Sequence, residues 1–177
     1  MSTARRQIAV TTLCGLILWI LLAQVNHHLA YWQVHLWAGG LFVAFAGLRL
    51  DLREGLLTVA LLGAVHDASA PVAFGTHMLL FAIAQTVIFH LRNRFPREEA
   101  VIGVLVALLA NLGLFLAFSF IQIAGSPAPG IAWLRLIADL MLSQLVLAAI
   151  TPWFLSLQAH ALEISGAGLR TEQRGVI

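Results

Sequence analysis

Residues 55–94 read GLLTVALLGAVHDASAPVAFGTHMLLFAIAQTVIFHLRNR, and the fold is decided here. Two apolar runs are joined by the short polar segment His-Asp-Ala-Ser-Ala-Pro at positions 66–71. Such runs predict embedded helices, and the polar segment predicts a change of chain direction between them. His66 and Asp67 lie where the first run should still be in or near a bilayer. Ionisable residues at that depth are costly, so they need a structural or functional reason.

The composition of the 177-residue chain predicts a membrane protein. Hydrophobic residues make up 60% of the chain and charged residues only 10%, whereas a soluble domain carries about 25% charged residues. So few charges cannot cover the surface of a soluble globular domain. The length suits about six spans of roughly 20 residues. The sequence therefore predicts an all-α, polytopic membrane bundle, formed as a single domain in contact with the lipid bilayer.

The apolar runs predict where the six helices lie. The expected spans cover about residues 7–25, 36–50, 55–70, 71–91, 100–123 and 131–157, and residues 160–177 are expected to form a polar, poorly ordered cytoplasmic tail. The third run has a short core of 12 residues, 55–66, which does not span the hydrocarbon layer by itself, so that helix either continues to residue 70, tilts or is partly re-entrant. Pro71 suits the first position of the fourth helix, where its missing N–H has no helical partner.

The arginines predict the orientation of these spans. All ten basic residues are arginine, and nine lie in the N-terminus, the second and fourth loops or the C-terminal tail. Because basic residues accumulate in cytoplasmic loops, both termini should be cytoplasmic and the loop with Asp67 should face outward. A nucleic-acid partner is not expected despite the pI near 9.5, since the arginines form no single basic patch.

His66, Asp67 and His77 form the most suggestive polar cluster. Imidazole and carboxylate groups are metal ligands or proton carriers, but neighbouring residues on a helix point about 100° apart and no metalloprotease-type His/Glu pattern is present. The favoured alternative is a structural hinge. In that interpretation Asp67 accepts backbone N–H bonds at the start of the fourth helix, where its negative charge is also favourable.

Arg135 and Asp139 form a second candidate cluster, one helical turn apart in the sixth span. Charged side chains in a membrane helix must face protein or water. They predict either an ion or substrate pathway, or a self-neutralising pair whose arginine extends toward the interface. An inter-helix pair between Arg135 and Asp67 is a further alternative, because both lie toward the outer side.

The second predicted helix carries many small residues, including Gly39, Gly40 and Gly47. Small residues allow helix backbones to approach closely. This seam is expected either to pack inside the bundle or to receive a partner's transmembrane helix.

The sequence contains no recognisable catalytic set. It has no serine nucleophile in an activating context, no pair of intramembrane aspartates suited to an aspartic protease and no glycine-rich phosphate loop. We therefore expect a protein that is not an enzyme and that has no catalytic residues, metal site or cofactor.

The central stretch resembles the MreD-type rod-shape-determining membrane proteins. The resemblance rests on the spacing Gly-x7-Gly-x3-Asp-x7-Gly-x-His, formed by Gly55, Gly63, Asp67, Gly75 and His77. It covers about residues 48–94, and elsewhere the likeness is only one of hydropathy. The histidine before the aspartate and the Ala-Pro pair after it are departures from that pattern.

The resemblance implies a scaffold of the cell-wall elongation complex in the bacterial inner membrane. Its implied partners are an MreC-type membrane protein and, within the same complex, an MreB filament and wall synthases. The fold of that family is similar to the S subunits of energy-coupling-factor transporters, which suggests the alternative of a vitamin-binding S subunit. That alternative implies an outward-facing pocket, lined by His27, His28, Asp67, His77 and Arg135. The bulky side chains of the first helix favour the scaffold.

Overall fold

The computed structural model describes residues 2–94, 100–123 and 129–167, and this part of the chain is helical with no strand. The six helices are α1 (Thr3–Leu29), α2 (Gly39–Arg49), α3 (Leu52–Ser69), α4 (Thr76–Leu91), α5 (Ala100–Ile123) and α6 (Pro129–Ile164). Short 3₁₀ turns follow α1 and α4, at Ala30–Trp32 and Arg92–Arg94. The all-α class is confirmed for the described residues.

Three of the helical segments are long and apolar enough to cross a membrane. They are Thr3–Trp32, Val101–Ile123 and Trp133–Ile164, which correspond to α1, α5 and α6. Helix α2 has only 11 residues, a length of about 17 Å against a hydrocarbon layer of about 30 Å. By length and composition, the described chain therefore contains three candidate spans among its six helices.

Helix α2 forms the centre of the bundle, because residues 39–47 are all buried. It packs against α4 and α5, while α3 packs on α4 and α1, and α6 lies against α5 and α1. The core around it is filled by the side chains of Phe42, Phe45, Val59, Leu62 and Phe81. The longer helices thus enclose the shortest one.

The second helix begins at Gly39, later than the predicted start at residue 36. The reason is that the backbone before it is held by side chains. The Asn26 amide accepts the N–H of Leu36 and donates to the Leu36 carbonyl oxygen, both at 2.8 Å. Non-helical backbone away from water needs such partners, and Asn26 supplies two of them from the end of α1.

The residues on either side of Leu36 are held from α6 in the same way. The N–H of His35 donates to the Asp139 carboxylate and the N–H of Trp37 donates to the Ser143 hydroxyl, each at 3.0 Å. These bonds fasten the α1–α2 connection to α6, although the two segments are far apart in sequence.

The fourth helix begins at Thr76, so the predicted helix start at Pro71 is wrong. Residues 70–75 instead form the connection from α3. Gly75 has φ 100°, a left-handed backbone conformation that favours glycine. This residue turns the chain toward α4, whose first N–H groups are bound by a side chain of α3.

The sixth helix continues to Ile164, beyond its predicted end at residue 157, although Pro152 lies within it. The polar tail therefore does not begin at residue 160. Leu162 and Ala167 are buried in the core, and the Gln7 side chain donates to the Ala167 carbonyl oxygen at 3.2 Å. The chain up to Ala167 packs on the first turns of α1, and residues 168–177 lie outside the described residues.

Candidate functional site at the end of the bundle

The carboxylate of Asp67, near the end of α3, caps the start of α4. Its two oxygens accept the backbone N–H groups of Gly75 at 2.9 Å, His77 at 2.8 Å and Met78 at 3.3 Å. The first N–H groups of a helix have no partner within the helix and carry a partial positive charge. A carboxylate from the preceding helix satisfies both needs, and these are the bonds that the hinge interpretation of Asp67 expects.

The glycines of the central stretch bring α3 against its neighbours. A Cβ atom added at Gly63 would come within 2.7 Å of the backbone of Met78, and one added at Gly55 would clash with the Gln85 amide. Gly63 thus lets α3 meet the α4 backbone next to the Asp67 cap. The residues that carry the family resemblance therefore form one physical unit, the α3–α4 hairpin.

Two histidine rings lie beside this hinge. The Nδ1 atom of His77 is 2.8 Å from the Asp67 carboxylate, and the Nδ1 atom of His66 is 2.9 Å from the carbonyl oxygen of Leu62. The ring centroids of the two histidines are 5.5 Å apart. Both rings are packed among aromatic side chains, His66 against Phe42 at 4.7 Å and His77 against Phe118 at 4.0 Å.

A cavity of about 540 Å³ opens where six helix ends meet. Its walls come from the ends of α1, α3 and α5 and from the beginnings of α2, α4 and α6. Its aromatic lining includes Trp19, Trp37, Phe42, Phe115 and Phe118. Its polar lining includes His35, His66, His77, Arg135 and Asp139. The volume is within the range of about 300–1,000 Å³ typical of small-molecule sites.

Arg135 and Asp139 both line this cavity, but their predicted ion pair is not formed in the described part of the chain. Asp139 is buried and accepts the N–H of His35, whereas Arg135 is exposed. The alternative pair between Arg135 and Asp67 is also not formed, because Asp67 binds the start of α4. Asp139 holds the α1–α2 connection, and both charged residues line the cavity without forming a direct pair.

The His35 side chain is partly open to solvent, and both Asp139 and Arg135 influence its pKa. Desolvation by the surrounding protein lowers the pKa of His35 below its usual value, while the Asp139 carboxylate opposes this shift and the Arg135 guanidinium adds to it. The ring is therefore favoured in its neutral form at this edge of the cavity.

The small-residue seam of α2 is used inside the chain. A Cβ atom added at Gly40 would clash with the backbone of α5, and one added at Gly47 would come within 2.5 Å of the Ile88 side chain. A Cβ atom at Gly39 would clash with the Trp37 ring. Two roles were predicted for this seam, and in the structure these glycines pack inside the chain.

Several residues at this end are not identified by the sequence analysis. Asn26 and Ser143 bind the backbone of the α1–α2 connection, and Ser119 lines the cavity. Of the five residues that the S-subunit alternative implied for a pocket, His77 and Arg135 line the cavity, whereas His27, His28 and Asp67 do not. The signal for Asn26 was a polar residue at the end of an apolar run, which by itself does not indicate its partner.

No group of three or more His, Cys, Asp or Glu side chains among the described residues is arranged to hold a metal ion. No family model matches the sequence, and no similar curated protein or solved structure is found. The hinge and the cavity are therefore the features of the described chain that bear on its function.

Proposed function

We propose that the chain is a multi-pass protein of the bacterial inner membrane, with six membrane-embedded helices and both termini on the cytoplasmic side. The apolar outer surface supports this, since Leu13, Leu109 and Leu145 are each more than half exposed. Such rows of exposed apolar side chains are unfavourable in water and suited to lipid. The arginine distribution supports the proposed orientation.

The contact between Gln7 and Ala167 supports an even number of crossings. It brings the beginning of α1 and the chain after α6 to the same end of the bundle. Three crossings, by α1, α5 and α6 alone, would leave these two segments on opposite sides of the membrane. The shorter helices α2, α3 and α4 therefore contribute an odd number of further crossings, and three of them give the proposed six.

Within this membrane, the proposed role is that of a non-enzymatic scaffold in the cell-wall elongation complex. The observation that carries it is the α3–α4 hairpin: the spaced residues that resemble the MreD-type proteins act together, with Asp67 capping α4 and Gly63 touching its backbone. A resemblance whose separate positions form one structural unit is better supported than a match of residue types. The proposed direct partner is an MreC-type membrane protein, with an MreB filament and wall synthases in the same assembly.

Affinity purification of the tagged full-length chain from native membranes tests this role. The expected result is capture of an MreC-type protein, with loss of rod shape when the chain is depleted. A parallel purification from membranes with the untagged chain is the control. If no wall-synthesis protein is captured and cells keep their normal shape after depletion, the proposed scaffold role is wrong.

The cavity favours a second candidate, a substrate-binding subunit of a vitamin transporter. Its volume and mixed aromatic and polar lining suit a small molecule. This candidate predicts that a coupling ATPase co-purifies with the chain and that a vitamin stays bound after purification. The same membrane preparation therefore distinguishes the two functions by the identity of the captured proteins.

A further inference from the structure

The hydrogen bonds of the two cavity histidines determine where their protons lie. The Nδ1 atom of His77 faces a carboxylate and the Nδ1 atom of His66 faces the carbonyl oxygen of Leu62. Both partners can only accept, because the Asp67 carboxylate already receives three backbone N–H groups and a carbonyl oxygen has no proton. Each Nδ1 therefore donates. In a neutral imidazole the second nitrogen, Nε2, is then a hydrogen-bond acceptor.

Neither Nε2 atom has a hydrogen-bond partner among the described residues, and both rings line the cavity. His77 is 4% exposed, so its ring is fixed by its surroundings while its Nε2 remains open to the cavity. The histidines thus present two acceptors, held in orientation by bonds on the far side of each ring. A molecule that enters the cavity and donates hydrogen bonds can therefore reach both acceptors.

The other walls of the cavity indicate what kind of molecule that is. Trp19, Phe42 and Phe118 lie next to the two histidine rings, and aromatic side chains favour stacked or edge contacts with a flat ring. Arg135 and Asp139 contribute opposite charges to the lining. A net charge on the ligand is therefore not required.

From this geometry we infer that the cavity binds an uncharged, planar aromatic or heteroaromatic molecule that donates N–H or O–H hydrogen bonds to Nε2 of His66 and His77. The inference rests on the cavity alone and holds for either candidate function. Binding at this site and capture of an MreC-type partner are measured separately, so the failure of one is distinguishable from the failure of the other.

The test uses the full-length chain in lipid nanodiscs and a pair of matched probes followed by NMR. Resorcinol is a flat ring with two O–H donors, and 1,3-difluorobenzene has nearly the same size but donates no hydrogen bond. Empty nanodiscs correct for partition into lipid. The variant His66→Phe keeps a ring against Phe42 but removes one acceptor, and it leaves the Asp67 hinge intact. His28→Phe is the control, because His28 is exposed and lies outside the cavity.

Saturable binding of resorcinol but not of 1,3-difluorobenzene is expected for the natural chain. His66→Phe should weaken resorcinol binding about fivefold to tenfold, the effect of one lost hydrogen bond, and His28→Phe should leave it unchanged. Equal binding of the two probes, no saturable binding of resorcinol, or unchanged binding by folded His66→Phe would each overturn the inference. If His66→Phe does not fold, the comparison of the two probes on the natural chain decides. Binding of Zn²⁺ alone that excludes resorcinol would replace the inferred ligand with a metal ion.

Discussion

One oxygen of the Asp67 carboxylate binds His77 twice, accepting its backbone N–H and its ring Nδ1–H, each at 2.8 Å. Both residues are 4% exposed. The backbone bond fixes the start of α4, and the ring bond orients the imidazole in the cavity wall. Because a single carboxylate makes both contacts, a change at position 67 acts on the hinge and on the cavity together.

Substitution of Asp67 should therefore destabilise the protein in a graded way. In Asp67→Asn an NH₂ group replaces one of the two accepting oxygens, and an N–H left without a partner lowers the free energy of unfolding by about 1–3 kcal/mol. Asp67→Leu removes both oxygens and should give little folded protein. Thermal unfolding and folded yield in detergent measure both effects.

The control for this prediction is Asp51→Asn. Asp51 occupies the N-cap position of α3, but it is exposed and its side chain makes no capping hydrogen bond. Its replacement should leave the unfolding temperature unchanged. A wild-type unfolding temperature for Asp67→Asn would contradict the two-oxygen cap. If Asp67→Asn loses partner capture while its stability is unchanged, the negative charge of Asp67 is needed for partner binding and not for folding.

A second prediction compares two helical glycines. In Gly40→Ala the new Cβ atom would clash with the α5 backbone at Ala107 and Asn111. Because backbone cannot rotate away, the free energy of unfolding should fall by about 1–3 kcal/mol. Gly113→Ala is the matched control: nothing lies within 4 Å of its Cβ position, and better helix propensity should raise stability by up to about 1 kcal/mol. Equal effects in thermal unfolding would contradict the internal seam.

The role of Asp67 could be predicted from the sequence, whereas the start of α2 could not. A carboxylate in an apolar run needs partners, and free N–H groups exist nearby only at the next helix start. By contrast, residues 36–38 continue an apolar run and look helical until Asn26, Asp139 and Ser143 are known to bind the preceding backbone. Those partners come from distant positions, so local pattern does not indicate them. The S-subunit alternative implied a pocket with His77 and Arg135 in its lining, and both line the cavity. The rest of its walls could not be predicted, because six helix ends from distant positions form them.

Asn26 gives a third prediction. Its amide satisfies both backbone groups of Leu36, so Asn26→Leu leaves a donor and an acceptor without partners. The expected loss is about 2–4 kcal/mol in the free energy of unfolding. Gln24→Leu, at an exposed position two residues earlier, should have little effect in the same thermal unfolding measurement. Similar losses for both variants would show that added apolar surface, and not the lost bonds, causes the change.

The membrane orientation gives the last prediction, and single cysteines test it. Cys14 is the only native cysteine, so Cys14→Ser provides a background without thiols. Ser69 and Arg94 are exposed at opposite ends of the α3–α4 hairpin. With the arginine-rich loops inside, Ser69→Cys should react with a membrane-impermeant maleimide in intact spheroplasts, and Arg94→Cys only after lysis.

The reverse labelling pattern would show that the orientation is opposite to the one proposed. Labelling of both sites in intact spheroplasts would show that the hairpin does not cross the membrane. The Gln7–Ala167 contact supports the proposed even number of crossings. Glu163→Cys, at an exposed position near the end of α6, should then follow Arg94→Cys and not Ser69→Cys.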